Sequence, residues 1–189
     1  MAGIAASDAD VVALLMRQHG DIRNLFDKVE RTAGDERRAA FRNLVRLLAV
    51  HETAEEEVIR PFTRTSVPDG AKVAEERLAE EREAKELLSR LDGMDTDDPK
   101  FLPELQTLRL DVMKHARAEE RYEFNHIRRH ADKARLSSMA TALKAAEAVA
   151  PTHPHPGTES AAKNMALGPI AALVDRTRDA VRKAMGKDG

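Results

Sequence analysis

Apolar residues recur at steps of three and four along four long stretches of the chain, which is the spacing of one face of an α-helix. The pattern is clearest over residues 41–62 and 105–122. We predict helices over about 8–31, 36–63, 71–92 and 101–130, the first capped by Ser7 or Asp8. Long helices with short polar connections are typical of an up-down-up-down four-helix bundle, so we predict an all-α fold.

One or two further helices are predicted after the bundle. A shorter helix over about 133–148 is expected to pack on it, and residues 1–150 are taken as the bundle domain. Residues 151–189 are a Pro- and His-rich linker, followed by an amphipathic helix over about 161–185 with a basic end. We expect this helix to dock on the bundle or on a second copy of the chain, which would make a homodimer. Anchoring to an anionic membrane surface is the alternative.

Each of the four apolar stripes carries polar residues near the middle of its helix. These residues are His19, His51, Glu55, Glu81, His115 and Glu119. A buried carboxylate without a partner is energetically costly, and antiparallel packing brings mid-helix positions to one level. We therefore predict that the six side chains converge on metal, whose charge compensates the carboxylates.

Composition restricts the chemistry of that site. The chain has 189 residues, of which 34% are charged and 3% aromatic, and its net charge is −2. It contains no cysteine, which excludes disulfides, thiolate nucleophiles and Cys-ligated metals. His and carboxylate donors suit iron, manganese or zinc. No global basic field points to nucleic acid. The N-terminal stretch, interrupted by Asp8 and Asp10, resembles neither a signal peptide nor a membrane span, so a cytoplasmic protein is expected.

Three segments of the chain resemble the ligand segments of the hemerythrin-like (HHE cation-binding) family. They are QHGDIRNLFDKV around His19, HETAEEEVIRP from His51 and HARAEERYEF from His115, within residues 11–124. The resemblance implies a four-helix bundle around a non-haem di-iron centre with two iron ions. It also implies that the three histidines are terminal ligands, and that Glu55 and Glu119 bridge the irons.

The third helix departs from the family pattern. The family usually has a His there, whereas this chain reads LAEEREAKELLSRL and places Glu81 at that position. Either Glu81 is a substitute carboxylate ligand, or it is an ordinary charge and water takes the coordination position. The stripe register favours ligation by Glu81 over ligation by its neighbour Glu80. Two smaller departures are Arg60, which precedes Pro61, and Asn125, which stands where the family often has Pro.

Two other metal schemes fit the sequence less well. Ferritin-like di-iron bundles have Glu-x-x-His on each of two helices, and this chain has only Glu123-x-x-His126. Zincin proteases have His-Glu-x-x-His, whereas His51-Glu52 is followed by Glu55 at the last position of that motif. Neither scheme explains the His and Glu pair of the fourth helix.

Residues near the predicted ligands have alternative roles. Tyr122, one turn past Glu119, is expected on the inner stripe, where it would either donate a hydrogen bond to a ligand or bound oxygen species or pack with its hydroxyl at the rim. His126 is a candidate for proton relay, although a solvated position is favoured. The residues expected in solvent are Glu52, Glu56, Glu57, Glu120, His130, His153 and His155.

Family members bind oxygen, sense oxygen, nitric oxide or iron, or act on peroxide. An anionic Glu81 in place of a neutral His favours ferric iron, which disfavours reversible oxygen carriage. Our leading hypothesis is a di-iron oxidoreductase with catalase-like activity on hydrogen peroxide, in which Glu81 or Tyr122 assists proton transfer. The second is a non-catalytic module that binds or senses O2, NO or iron. The third is a purely structural bundle.

Overall fold

The computed structural model describes residues 10–154 and 168–186, and these residues form helices without strands. The elements are α1 Val11–Arg31, α2 Gly34–Ser66, α3 Gly70–Asp92, α4 Phe101–Ala118, a π-helical segment Glu119–Glu123, α5 Phe124–His130, α6 Lys133–Val149 and α7 Gly168–Ala184. Helical backbone dihedrals continue through both ends of the π-helical segment, so α4, this segment and α5 form one rod. The all-α prediction is confirmed.

The four rods pack as the sequence predicts. Helix α1 packs on α2, α2 on α3, α3 on α4, and α4 returns to α1. The interior has an apolar cluster at each end, one around Phe26, Leu44 and Phe101 and the other around Leu15 and Ile59. The polar residues of the stripes lie between these two clusters. The up-down-up-down bundle is therefore confirmed, and it places the candidate ligands midway along its length.

Local interactions set the helix ends slightly away from the predicted ones. The Asp10 carboxylate accepts hydrogen bonds from the backbone amides of Val12 at 2.9 Å and Ala13 at 3.3 Å, so α1 begins at Val11 rather than near residue 8. Helix α2 runs through Pro61 to Ser66 instead of ending near residue 63. It then meets α3 so closely that a Cβ atom on Gly70 would lie 2.0 Å from the carbonyl oxygen of Thr63. That connection requires glycine.

The π-helical segment corrects one prediction. A π turn contains more residues than an α turn, so it rotates the following side chains about the helix axis. Glu123 is consequently buried, with 1% of its surface exposed, whereas the side chain of Tyr122 is 69% exposed. The expected position of Tyr122 on the inner stripe is therefore wrong.

The C-terminal helices cover one side of the bundle. Helix α6 packs against α1 and α2, and its Met139 and Leu143 join the apolar cluster around Leu15. Helix α7 packs on α6 and α2, where Arg178 bonds to Glu57 at 3.2 Å. The predicted start of the last helix near residue 161 and the linker beyond residue 154 lie outside the described residues. Within the described ranges, every helix is too short or too polar to cross a bilayer. The homodimer stays a prediction.

Candidate metal centre

The six predicted ligands come together as two overlapping groups between the apolar ends of the bundle. One donor atom from each member of a group lies within 4.8 Å of the others. The first group is His19, His51, Glu55 and Glu119, and the second is Glu55, Glu81, His115 and Glu119. All of these side chains are buried except His115, which is 14% exposed. Glu55 and Glu119 belong to both groups, as the resemblance implies for bridging carboxylates.

The three histidines turn the same ring nitrogen toward the cluster. Each Nδ1 atom pairs with a polar side chain outside the two groups: His19 with Glu120 at 2.9 Å, His51 with Gln18 at 2.7 Å, and His115 with Glu80 at 3.1 Å. Each Nε2 atom therefore faces the carboxylates, at 3.5 Å for His19, 3.7 Å for His51 and 3.2 Å for His115. Outer partners of this kind fix the ring and the tautomer of metal-binding histidines.

The sequence did not predict that Glu120 and Gln18 would bond to candidate ligand histidines. Glu120 was expected in solvent, but it is half-buried because it bonds to His19. Gln18 had no assigned role, yet it joins His51 to the C-terminal part of the chain, since its amide nitrogen donates to Glu147 on α6. The packing of α6 on the bundle therefore extends as far as a ligand ring.

The first group has the donors that a cation requires. Three of its atoms are buried without any hydrogen-bond partner: Nε2 of His19, Oε1 of Glu55 and Oε2 of Glu119. Burial lowers the pKa of His51 to about 3, so its imidazole is neutral and keeps a lone pair for a metal. Unpartnered buried polar atoms are rare in proteins, and a bound cation would satisfy all of them. The first group fits a divalent metal ion.

The second group surrounds a residue that sequence reasoning missed, Arg60. Its guanidinium, 2% exposed, donates through Nε to Glu81 at 3.0 Å and through Nη1 to Glu123 at 3.0 Å. Its Nη2 donates to Glu81 at 2.7 Å, to Glu55 at 3.3 Å and also to Glu119. Burial lowers the pKa of Arg60, but the surrounding carboxylates outweigh it and hold that pKa well above its usual value. Arg60 is a buried cation.

Arg60 occupies the space where the second group would hold a metal. Its Nη2 lies 3.5 Å or less from a donor atom of each of the four members, His115 included. A transition metal binds nitrogen and oxygen donors at about 2.0–2.2 Å, so an ion among the same four atoms would overlap Nη2. The second group does not fit a metal ion while Arg60 holds this place.

The charges of the two groups influence one another. Burial lowers the pKa of His115, but Glu119 and Glu80 outweigh it and raise that pKa well above its usual value. Burial raises the pKa of Glu119, but His115 and Arg60 hold it well below the usual range. For Glu55, burial and the nearby Glu119 charge both raise the pKa. The cluster is thus short of positive charge on the side of Glu55.

A second set of acidic residues on α2 was wrongly expected in solvent. Glu52 is 6% exposed, and burial raises its pKa to about 8. Burial also raises the pKa of Glu56 to about 7, although the ammonium group of Lys85 on α3 bonds to it. Glu57 pairs with Arg178 of α7. Basic side chains of neighbouring helices therefore pair with Glu56 and Glu57, whereas Oε2 of Glu52 is buried without a hydrogen-bond partner.

The histidines predicted at the surface lie away from the cluster. His126 is half-buried and donates to the backbone carbonyl of Ser66, and its ring stacks on that of exposed His130 at 3.8 Å. His153 is 65% exposed and pairs with Asp92 at 3.0 Å. His155 lies outside the described residues. The ligand groups include neither His126 nor His130 nor His153.

A small cavity borders the ligands. The volume that the centre of a water molecule can occupy in it is about 20 Å³. All three candidate ligand histidines and Glu81 line this cavity. Apolar side chains, among them Ile22, Leu48 and Val112, form much of the remaining wall. A cavity of this size has room for one or two waters or for a molecule of two to four atoms. Only small ligands would fit beside the cluster.

Comparison with known proteins agrees with this architecture. The family described as Hemerythrin HHE cation binding domain matches residues 10–127, more than half of the chain. An uncharacterized hemerythrin-like protein of Schizosaccharomyces pombe is 28% identical over 138 residues, which cover 72% of this chain and 68% of that protein.

Two further similarities differ in what they cover. A DNA nickase of a Nostoc species is 27% identical over 146 residues, which are 77% of this chain but only 41% of that protein. The chain therefore spans less than half of that relative. A crystal structure of a hemerythrin HHE cation binding domain-containing protein of Mycobacterium kansasii matches with a TM-score of 0.64 and 22% identity. The match covers 88% of this chain and 98% of that one, and it shows the fold alone.

Proposed function

Because the chain belongs to the Hemerythrin HHE cation binding domain family, we propose that it binds iron at its buried His and Glu cluster and decomposes hydrogen peroxide. The observation that carries the proposal is the set of unpartnered buried donors on His19, Glu55 and Glu119 beside the neutral ring of His51. Two imidazoles and two carboxylates are donors that suit iron.

The size of the cavity supports a small substrate. Hydrogen peroxide has two heavy atoms, and it fits a cavity in which about 20 Å³ is open to the centre of a water molecule. In the proposed reaction one peroxide is oxidised to O2 and its two protons and two electrons reduce a second peroxide to two waters. No external electron donor is required. The bound iron supplies the redox chemistry by changing its oxidation state.

The side chains of the chain have three tasks in this proposal. His19, His51, Glu55 and Glu119 hold the ion. The apolar wall of the cavity limits the water around it. Glu81 is the residue that we assign to proton transfer, because it lines the cavity and its Oε2 atom has no hydrogen-bond partner. Tyr122, whose side chain is 69% exposed, is left out of the proposal.

The test is oxygen release from peroxide by the full chain. The protein is loaded with ferrous iron without oxygen, freed of excess iron, and given hydrogen peroxide in an oxygen electrode. His51→Ala should lose both iron and oxygen release, whereas the matched variant His153→Ala, at an exposed site, should keep both. Equal oxygen release by His51→Ala and the unsubstituted chain would refute the proposal.

A second candidate is a non-catalytic module that binds O2 or NO. The apolar wall of the cavity favours it, because diatomic gases are apolar and of the right size. In that case the ferrous protein would form a stable adduct with O2 or NO, seen in its absorption spectrum, and would release no oxygen from peroxide. The two candidates therefore give opposite results in the same preparation.

A further inference from the structure

Arg60 binds one oxygen of each of the two carboxylates that the ligand groups share. Its Nη2 atom takes Oε2 of Glu55 and Oε1 of Glu119. The opposite oxygens, Oε1 of Glu55 and Oε2 of Glu119, are buried and have no partner. For Glu119 the free oxygen lies 3.5 Å from Nε2 of His19, which is the arrangement of a carboxylate that bridges two positive charges. For Glu55 the oxygen near His51 is Oε2, at 3.7 Å from its Nε2, and this oxygen also accepts the hydrogen bond from Arg60.

We infer that this chain binds a single metal ion, in the group of His19, His51, Glu55 and Glu119, and that the guanidinium of Arg60 permanently replaces a second ion. The inference rests on the proposed cation-binding function. It departs from the two iron ions that the resemblance implies, because Arg60 is where the second ion would be.

Charge supports one ion over two. Four carboxylates are buried around Arg60, on Glu55, Glu81, Glu119 and Glu123. The guanidinium returns one positive charge, and a divalent ion in the first group adds two. Further basic side chains border the same carboxylates: Nε of Arg77 lies 3.4 Å from Glu123, and Nε2 of His115 lies 3.2 Å from Glu119. A second divalent ion would leave an excess of buried positive charge, which is as unfavourable as the deficit.

Arg60 is also held too firmly to be displaced easily. All three of its guanidinium nitrogens donate to carboxylates. One of them, Glu123, belongs to neither ligand group and is itself bonded by Thr63 at 3.0 Å. A second ion would have to break these bonds and move a charged group through the interior of the bundle. Breaking a buried ion pair costs far more free energy than breaking an exposed one.

The test counts ions per chain. Full-length protein is stripped with a chelator, reloaded with excess ferrous iron without oxygen, desalted, and measured by elemental analysis. We expect one ion in the unsubstituted chain and two in Arg60→Met, because the second group is then free of the guanidinium. The matched control is Arg64→Met, one turn along the same helix, where an exposed arginine pairs with Glu75 at 2.7 Å. It should keep one ion.

Two histidine variants make the test independent of whether Arg60→Met folds. His51→Ala removes a ligand of the first group and should lose the ion. His115→Ala removes a neighbour of Arg60 and should keep one ion. In a dinuclear centre both variants would lose iron. After oxidation, a single ferric ion gives the EPR signal of an isolated high-spin centre, whereas a coupled ferric pair gives none at low temperature.

Each result has a definite meaning. One ion in the unsubstituted chain and in His115→Ala supports the inference. Two ions in the unsubstituted chain, or an equal loss of iron in His51→Ala and His115→Ala, overturns the inference and leaves the proposed function standing. No bound ion in the unsubstituted chain overturns both.

Discussion

Replacing Arg60 by Met should strongly destabilise the metal-free protein. Met keeps the apolar part of the side chain and ends near the position of Nε, so the main change is the loss of the guanidinium. Four buried carboxylates, on Glu55, Glu81, Glu119 and Glu123, then lose their shared partner. Removing one partner of a buried ion pair costs about 3–5 kcal/mol, because the remaining charge stays buried without compensation.

Urea denaturation followed by circular dichroism measures this cost. With a dependence on urea of roughly 2 kcal/mol per molar, a loss of that size lowers the midpoint by roughly 2 M. All samples contain chelator, so that no metal substitutes for the missing charge. Arg64→Met is again the matched control. Its arginine is 41% exposed, so its midpoint should change by no more than the equivalent of about 0.5 kcal/mol.

A double variant shows whether the carboxylates are the cause. Glu123→Gln removes one of the charges that Arg60 compensates, and Glu123 is outside both ligand groups. Combined with Arg60→Met, it should cost less than the two single variants together, by about 1–3 kcal/mol. Additive losses, or an Arg60→Met protein within 1 kcal/mol of the unsubstituted chain, would show that Arg60 does not neutralise this cluster.

Metal ions should stabilise Arg60→Met more than they stabilise the unsubstituted chain. A ligand at a hundredfold excess over its dissociation constant stabilises a protein by about 2.7 kcal/mol per site. The unsubstituted chain should gain this once and Arg60→Met twice, so that saturating metal brings the two midpoints closer together. Equal gains would mean that the vacated space does not bind an ion.

Three further predictions concern the parts that position the site. Gly70→Ala should cost about 3 kcal/mol in urea denaturation, because its Cβ would lie 2.0 Å from the carbonyl oxygen of Thr63, a backbone atom that cannot move freely. Gln18→Ala should weaken metal binding about 10–100-fold in calorimetric titration, because the Nδ1 atom of His51 loses its partner. Asp10→Ala should lower stability by about 1 kcal/mol, because α1 loses its N-terminal cap.

Each of these has a matched control. Gly34→Ala meets no atom within 4 Å and should cost only about 1 kcal/mol, for its positive φ. Gln106→Ala, at an exposed position, should leave metal affinity unchanged, and Asp21→Ala, exposed within α1, should leave stability unchanged. A control that changes as much as its partner variant would contradict the corresponding prediction.

The helices and the convergence of the six candidate ligands were predictable because both follow from one periodic pattern. A buried stripe at helical spacing fixes which side chains face inward, and His51 or Glu119 in such a stripe is visible from the sequence alone. The π-helical segment interrupts that regularity. The stripe pattern assumes 3.6 residues per turn, so it placed Tyr122 inside and gave no role to Glu123.

Arg60 escaped prediction for a different reason. Its Cα lies off the inner stripe of α2, two residues past Val58, and periodicity assigns such a position to solvent. An arginine side chain is long enough to reach around the helix and place its guanidinium among the carboxylates of the inner stripe, although its Cα lies off that stripe. Lys85 reaches Glu56 in the same way from α3. An apolar stripe shows which side of a helix faces the interior, but it does not show where the charged end of a long side chain lies.

The charges buried in the structure differ from those that the sequence predicted. The predicted interior contained three carboxylates, on Glu55, Glu81 and Glu119, and two metal ions were expected to compensate them. In the structure Glu123 joins them inside, and a cation supplied by the chain itself joins as well. In the sequence HETAEEEVIRP that cation, Arg60, comes five residues after the candidate ligand Glu55. An arginine within reach of a carboxylate-rich metal site therefore competes with a metal ion for the carboxylates. The number of ions in such a site thus depends on the side chains that enter it as well as on its ligands.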